Sequence, residues 1–171
     1  MLPDSRLSLF GRSYLASSYR YFACSPHELA FVARDGDQIL GGGFVSLAPD
    51  SLSRRLLTHT PLLCHLALRP IGRGARQLAA DLLAPAAAPA ASDEPELVAI
   101  FVASESRGRG IGEAICREVE RELGRRQIKS YRVRTERDPA NRAIAFYRRL
   151  GFIESGAEAR GRFLVLSKSL P

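Results

Sequence analysis

Residues 107–112, Arg-Gly-Arg-Gly-Ile-Gly, have the composition of an anion-binding turn. Glycines let a backbone turn sharply and come close to a ligand. An apolar run precedes the segment and a helical pattern follows it, so its N–H groups would lie at a helix N-terminus. Those groups have no partner within the helix, and the helix dipole adds partial positive charge. The segment therefore predicts a site for a phosphate or diphosphate, to which the two arginines add forked donors.

Two familiar phosphate motifs do not describe this turn. The dinucleotide fingerprint Gly-x-Gly-x-x-Gly and the Gly-Lys-Ser/Thr of a P-loop do not occur in residues 107–112. A second glycine- and arginine-rich run at 72–76 has no buried strand before it, and we interpret it as a loop before a helix.

The elements around the turn alternate between strand and helix patterns. The helix after the turn would end near Gly124, and Asp138 with Pro139 suits the N-cap and first position of a second helix. In chain order the elements are a strand at 96–102, a helix from about 110, a strand at 130–135, a helix from 138 to about 150, and a strand at 163–166. This order predicts a mixed α/β fold with a central βαβ unit.

The N-terminal part begins with a helical pattern that breaks near 24–26. Two apolar runs, 29–34 and 38–47, flank the turn sequence Asp-Gly-Asp at 35–37 and predict an antiparallel hairpin. Glycines at 41–43 indicate a bulge or a close backbone approach in its second strand.

Residues 48–95 differ in character from the rest of the chain. They contain a helical pattern and then an Ala/Pro-rich stretch, in which proline excludes a regular helix. We interpret them as a partly helical insertion within a single domain that spans 1–171. The apolar and basic residues of the insertion could instead contact a membrane surface or a partner.

The composition limits the classes of function. The net charge of +7 comes almost entirely from arginine, but the arginines form no long block with interleaved aromatics, which argues against nucleic acid. The sequence has no apolar run long enough to span a membrane and no signal-peptide pattern, so we expect a cytoplasmic protein. Its three cysteines lack the spacing of metal ligands or of a disulfide framework, and we expect no metal.

Two motifs in order carry a resemblance to a known family. Arg107-x-x-Gly110-x-Gly112 after a strand is similar to the acetyl-CoA motif of the GNAT superfamily of N-acetyltransferases. Residues 141–152 resemble the second signature helix of that family, so the resemblance covers 96–152 and extends more loosely to the hairpin. It implies a splayed, mixed α+β sheet flanked by helices, and transfer of acetyl from acetyl-CoA to a primary amine.

The resemblance also implies roles for matching residues. The backbone of the strand would pair with the pantetheine arm, and the glycine turn would hold the pyrophosphate. Tyr147 would stand near the thiol sulfur as the general acid, although its alternative is a core aromatic; the alternative for Asn141 is a helix cap. The residues assigned to acetyl-CoA are Ile100, Phe101, Val102, Arg107, Gly108, Arg109, Gly110, Ile111, Gly112 and Asn141.

An ammonium must lose a proton before its nitrogen attacks a thioester, so the chemistry calls for a base. Glu96 matches the place of the glutamate base in histone acetyltransferases of the superfamily, and its alternative is a solvated residue that begins the strand. His65 is a second candidate, although a lone histidine in an apolar stretch is usually structural.

Three functions compete at this point. The leading one is direct acetyl transfer to a small-molecule or protein amine that the sequence does not identify. The second is a catalytically silent acyl-CoA-binding sensor or scaffold of the same fold, and the third is a nucleic-acid binder driven by net charge. The insertion would shape the acceptor pocket, and a homodimer is the commonest assembly for such chains.

Overall fold

The computed structural model describes residues 12–58, 94–157 and 163–171. The helices in these ranges are α1 (Arg12–Cys24), α2 (Leu52–Thr58), α3 (Ile111–Arg125) and α4 (Arg142–Arg149). The strands are β1 (Glu28–Asp35), β2 (Gln38–Ser46), β3 (Glu96–Val102), β4 (Ser130–Glu136), β5 (Ile153–Ala157) and β6 (Phe163–Ser169). No helix in these ranges is long and apolar enough to cross a membrane.

The strands form one mixed sheet in the order β1-β2-β3-β4-β6-β5. β1 and β2 make the predicted antiparallel hairpin, and β3, α3 and β4 make the predicted parallel βαβ unit. Both predictions are confirmed, as is the mixed α+β class. The sequence patterns missed β5, because the side chains of 153–156 are exposed and lack an apolar signal. β5 forms by antiparallel pairing with β6 at the edge of the sheet.

β3 lies inside the sheet but pairs with β4 over only a short stretch. The register joins Leu97 of β3 to Val133 of β4, and within the described sheet β3 has no pairing with β4 beyond Leu97. β3 stays paired with β2 up to Val102, and a bulge at Val98 shifts that register where the strands part. The sheet is therefore open between β3 and β4 toward the C-terminal ends of both strands, as the expected splay requires.

The glycines of β2 make room for side chains on both faces of the sheet. A Cβ at Gly42 would lie 2.9 Å from the ring of Phe101 and 2.7 Å from the carbonyl oxygen of Phe31. A Cβ at Gly43 would lie 3.2 Å from Ile115 of α3. The predicted close approach is confirmed, and the β1–β2 ladder also contains a register shift.

The two faces of the sheet bury different side chains. α3 and α4 cover one face, whose core is apolar, and α1 and α2 cover the other. The first core includes Val45, Leu97, Cys116, Val119, Leu123, Tyr131, Val133, Tyr147, Phe152, Leu164 and Leu166. Burial raises the pKa of the Cys116 thiol to about 12, which suits a small apolar role rather than a reactive one.

The end of α3 differs from the prediction. The helix passes through Gly124 and ends after Arg125, so the predicted end at Gly124 is wrong. Gln127 has a φ of 60°, the left-handed conformation that glycine usually supplies after a helix.

The start of α4 is also later than predicted. Asp138 accepts a hydrogen bond from the N–H of Ala140 at 2.8 Å and closes a turn before the helix. Asn141 is the N-cap, so the predicted cap at Asp138 with Pro139 at the first position is wrong. Both residues are short polar side chains that accept from a backbone N–H two positions later, and only the one at Asn141 opens a helix.

Two sequence interpretations lie outside the described residues. One is the helical pattern before residue 12. The other is most of the insertion, 59–93, which contains His65 and the second glycine- and arginine-rich run. Within the insertion the structure describes α2, in a stretch where the sequence pattern predicted no helix; the predicted helical pattern at 73–83 lies outside the described residues.

A row of buried polar side chains crosses the face covered by α1 and α2. Glu28, Ser46, Glu96 and Arg132 are register partners on β1 to β4, and all of them are buried. Arg55 of α2 donates to the carboxylate Oε1 of Glu28 and, at 3.3 Å, to Ser46 Oγ. The other carboxylate oxygen of Glu28, Oε2, is buried without a hydrogen-bond partner. Charge balance at this end of the row therefore depends on Arg55.

Replacing Arg55 by Met should lower the free energy of unfolding by about 3 kcal/mol, because a buried carboxylate would lose its cation. Arg117→Met is the matched control. Its pair with Glu113 has side chains 69% and 44% exposed, against 18% and 0% for Arg55 and Glu28. The control should change stability by less than about 0.5 kcal/mol. Equal losses in urea unfolding of the two variants would contradict the assignment.

Candidate functional site

A cavity of about 560 Å³ lies where β3, the turn before α3 and the helix α4 meet. The splay between β3 and β4 opens into this region, because both strands point their C-terminal ends toward it. The residues lining the cavity are Ile100, Phe101, Val102, Ser106, Arg107, Gly108, Gly110, Ile111, Gly112, Glu113, Phe146, Arg149 and Leu150. The structure thus brings most of the residues predicted to bind acetyl-CoA to one place.

The turn before α3 presents a series of free amides. Gly108 and Gly110 both have φ of 77°, a left-handed conformation that favours glycine, and a Cβ at either position would meet nothing within 4 Å. These glycines are therefore needed for the backbone path rather than for space. The N–H groups of residues 108–113 have no hydrogen-bond acceptor within the described part of the chain. Together with the dipole of α3 they give the turn the donors and partial positive charge that suit an anion.

The open edge of β3 presents further backbone donors and acceptors. The N–H of Ala103 donates to Leu40 of β2 at 2.8 Å. Because N–H directions alternate along an extended chain, the N–H and C=O groups of Val102 and Ile100 point away from β2, toward the opening. An extended ligand can pair with them as an added strand.

The two arginines of the turn are exposed. The Nε of Arg107 donates to the carbonyl oxygen of Val102 at 3.5 Å, so this side chain folds back toward the end of β3. Arg109 lies between the two left-handed glycines, but its side chain does not line the cavity. Of the two arginines, only Arg107 is therefore placed at the cavity wall.

Gly112 has a different role from the two glycines before it. A Cβ there would lie 3.3 Å from the ring of Phe146 and 3.7 Å from Val102. Gly112 thus lets the first turn of α3 pack closely against α4 and β3. This packing makes the ring of Phe146 part of the cavity wall.

The side chain of Asn141 is occupied within the protein. Its Oδ1 accepts from the N–H of Ala143 at 3.0 Å, which is the helix-cap interaction. Its Nδ2 donates to Thr135 Oγ1 and to the carbonyl oxygen of Glu136, each at 2.8 Å. Asn141 does not line the cavity. Its contacts are those of the capping alternative, and they tie α4 to the end of β4.

Tyr147 lies in the core and does not line the cavity, although its neighbour Phe146 does. Its ring makes edge contacts with Phe146 and Phe152 at centroid distances of 5.2 and 5.4 Å. Burial raises the pKa of the Tyr147 hydroxyl above its ordinary value, and the nearby Cys116 raises it further. The hydroxyl has no hydrogen-bond partner in the ranges that the structure describes, yet it is not sealed from solvent. Its donor is therefore free for a ligand.

Both carboxylate oxygens of Glu96 are engaged in ion pairs. Oε2 accepts from Nε of Arg132 at 3.1 Å, and Oε1 accepts from Nε of Arg134 at 2.7 Å. The side chain is 5% exposed and does not line the cavity. Both oxygens are thus occupied by guanidinium donors away from the cavity, so this geometry disfavours Glu96 as a base. The alternative of a solvated residue at the strand start is wrong, because Glu96 is buried.

Sequence reasoning missed three residues of α4 that line the cavity: Phe146, Arg149 and Leu150. They share one helix face through i,i+3 and i,i+4 spacing, which is the signal that could have found them. No group of three His, Cys, Asp or Glu side chains in the described ranges is placed to hold a metal ion.

Comparison with known proteins identifies the family. A family model for acetyltransferases (GNAT) matches residues 2–152. The chain therefore belongs to the GNAT acetyltransferase family, and the splayed sheet with its glycine turn is the fold of that family. No curated protein sequence matches the chain.

Solved structures share this fold at low sequence identity. A protein named SsHAT is 24% identical, with a TM-score of 0.70 over 89% of this chain and 77% of that chain. The PaiA N-acetyltransferase of Thermoplasma acidophilum, solved with coenzyme A, is 13% identical, with a TM-score of 0.56 over 91% and 69%. The ribosomal-protein-S18-alanine N-acetyltransferase of Escherichia coli is 16% identical, with a TM-score of 0.52 over 91% and 75%.

Substitution by alanine should change the free energy of unfolding in opposite directions at Gly110, the N-cap of α3, and at Gly124 within the helix. Neither Gly110 nor Gly124 has an atom within 4 Å of a new Cβ, so backbone conformation alone separates them. Gly110→Ala should cost about 1 kcal/mol of stability, because φ there is left-handed. Gly124→Ala lies inside the helix and should gain about 1 kcal/mol. Urea unfolding measures both, and a shift of the same sign for the two variants would refute this assignment.

Proposed function

We propose that the protein is an N-acetyltransferase that moves an acetyl group directly from acetyl-CoA to a primary amine. One arrangement supports this above all: the free amides of 108–113 and the open edge of β3 meet at the same cavity. A diphosphate suits the amides, and an extended arm with amide groups suits a strand edge. Acetyl-CoA joins these two chemical groups in one molecule.

The residues present fit such a donor in charge as well as in shape. Arg107 adds a cation to the amides at the cavity wall. The ring of Phe146 and the side chain of Leu150 supply apolar surface in the same cavity. A charged diphosphate and a less polar arm would thus each find matching surroundings.

Backbone groups of β3 would prepare the reacting carbonyl. The donor, once bound, supplies an activated acetyl group as a thioester. An N–H of Ile100 or Val102 would donate to the carbonyl oxygen and stabilise the negative charge that develops there. β2 holds β3 from the other side, so these donors are oriented before the reaction begins.

Tyr147 would act on the leaving sulfur. Its raised pKa keeps the hydroxyl protonated, and the hydroxyl is free to donate. A thiol has an ordinary pKa of about 8.5, so complete proton transfer from such a tyrosine to a thiolate is unfavourable. We therefore assign Tyr147 as a hydrogen-bond donor that stabilises the sulfur, a narrower role than general acid.

We do not carry Glu96 forward as the general base, because its oxygens are held by Arg132 and Arg134. Two structural relatives support the class of substrates. One is named as an N-acetyltransferase in complex with coenzyme A, and the other as an N-acetyltransferase for an alanine of a ribosomal protein. These names favour a coenzyme A donor and an amine acceptor.

A charge placed in the amide site tests donor binding. Gly110→Asp should bind acetyl-CoA at least about fivefold more weakly than Gly110→Asn, because a unit charge about 4 Å from a phosphate costs about 1 kcal/mol or more. Asp and Asn have the same shape, and both tolerate left-handed φ, so only the charge differs. Calorimetric titration gives the dissociation constants. Equal constants would contradict the phosphate site, and no binding by the folded wild type would defeat the acetyltransferase proposal.

Removing the Tyr147 hydroxyl tests the chemistry. Tyr147→Phe keeps the ring contacts but should lower kcat by about tenfold to a hundredfold, with the dissociation constant of acetyl-CoA unchanged. Thiol release with a panel of primary amines measures the rate. In the wild type, the raised pKa predicts no loss of rate from ionisation of Tyr147 below about pH 10. Acetyl-CoA binding with no thiol release for any amine would favour the silent sensor instead.

A further inference from the structure

Part of the unpaired positive charge of the described residues lies at the cavity. Many arginines outside the cavity are neutralised, as in the ion pair of Arg126 with Glu122 on α3. Other cations outside the cavity have no ion pair in the described ranges: Arg20, Arg34, Lys129 and Arg142. Arg107 and Arg149 line the cavity and form no ion pair with an acid in the described ranges, and the same holds for Arg109 in the same turn. Glu113 also lines the cavity, but Arg117 neutralises it. The cavity therefore has an excess of positive charge.

Arg149 stands apart from the other two cations. It belongs to α4, one turn beyond Phe146 and on the same helix face, so it lines the cavity from a different element than the glycine turn. Its neighbour Arg148 differs in both respects. Arg148 donates to Glu154 at 3.4 Å and does not line the cavity. Of these two adjacent arginines, Arg148 forms an ion pair with Glu154, and Arg149 forms none in the described ranges.

Acetyl-CoA carries more phosphate than the turn accounts for. Its diphosphate suits the amides of 108–113, and its third phosphate is a dianion on the ribose 3′ position. Resting on the proposed function, we propose that Arg149 binds the ribose 3′-phosphate, so that the cavity selects acyl-CoA over its dephospho form. The forked guanidinium suits a terminal phosphate, which offers several acceptor oxygens at once.

Calorimetry with two donors and three proteins tests this assignment. The donors are acetyl-CoA and acetyl-dephospho-CoA, and the proteins are the wild type, Arg149→Gln and Arg148→Gln. The wild type should bind acetyl-CoA about tenfold or more tightly than the dephospho donor, as expected for a hydrogen bond to a charged group. Arg149→Gln should lose that preference through weaker binding of acetyl-CoA alone. Arg148→Gln removes the same charge from the same helix and should keep the preference.

The outcomes separate this inference from the proposed function. If Arg149→Gln weakens both donors equally, Arg149 contacts the diphosphate, and the 3′-phosphate assignment is overturned. If Arg149→Gln binds both donors as tightly as the wild type does, Arg149 contacts neither phosphate group, and the assignment is likewise overturned, although the donor site stands. If the folded wild type binds neither donor, the proposed function fails and the inference fails with it. Arg149 is exposed, so circular dichroism should show an unchanged melting temperature.

Discussion

The parting of β3 from β4 after Leu97 is the constraint on which the rest of the site depends. Two parallel strands that stayed paired would use the backbone groups of Ile100 and Val102 within the sheet. Because the strands separate, those groups face an opening; the carbonyl of Val102 accepts from Arg107, and the others need a partner from a ligand or from water. The separation also leaves room between the turn before α3 and the helix α4, where the cavity lies.

Ion pairs connect β3 and β4 at the end where the two strands still pair. Glu96 lies on β3 within the paired stretch, and its carboxylate forms ion pairs with Arg132 and Arg134 of β4. The pair with Arg132 is buried, so losing one partner would leave an uncompensated charge. Glu96 thus helps to hold the two strands together at the base of the opening, and it does not line the opening itself.

Three neighbouring glycines illustrate how one residue type meets different needs. Gly108 and Gly110 provide left-handed φ, which aims the free amides of the turn at one place. Gly112 has an ordinary φ and is small because Phe146 packs against it. A solved relative shares this fold at 13% sequence identity. Backbone requirements of this kind restrict the residue type at only a few positions.

The sequence by itself determined most of the elements and the glycine turn before α3. Those signals are local: apolar periodicity, a glycine turn before a helix, and two motifs in order. Tertiary structure alone decided the contacts of Glu96 and Asn141 and the place of Arg149 at the cavity. Glu96 pairs with arginines 36 and 38 residues away, so its engagement depends on strand register. β5 has no apolar pattern of its own and forms only because β6 offers it an edge, which no local signal encodes.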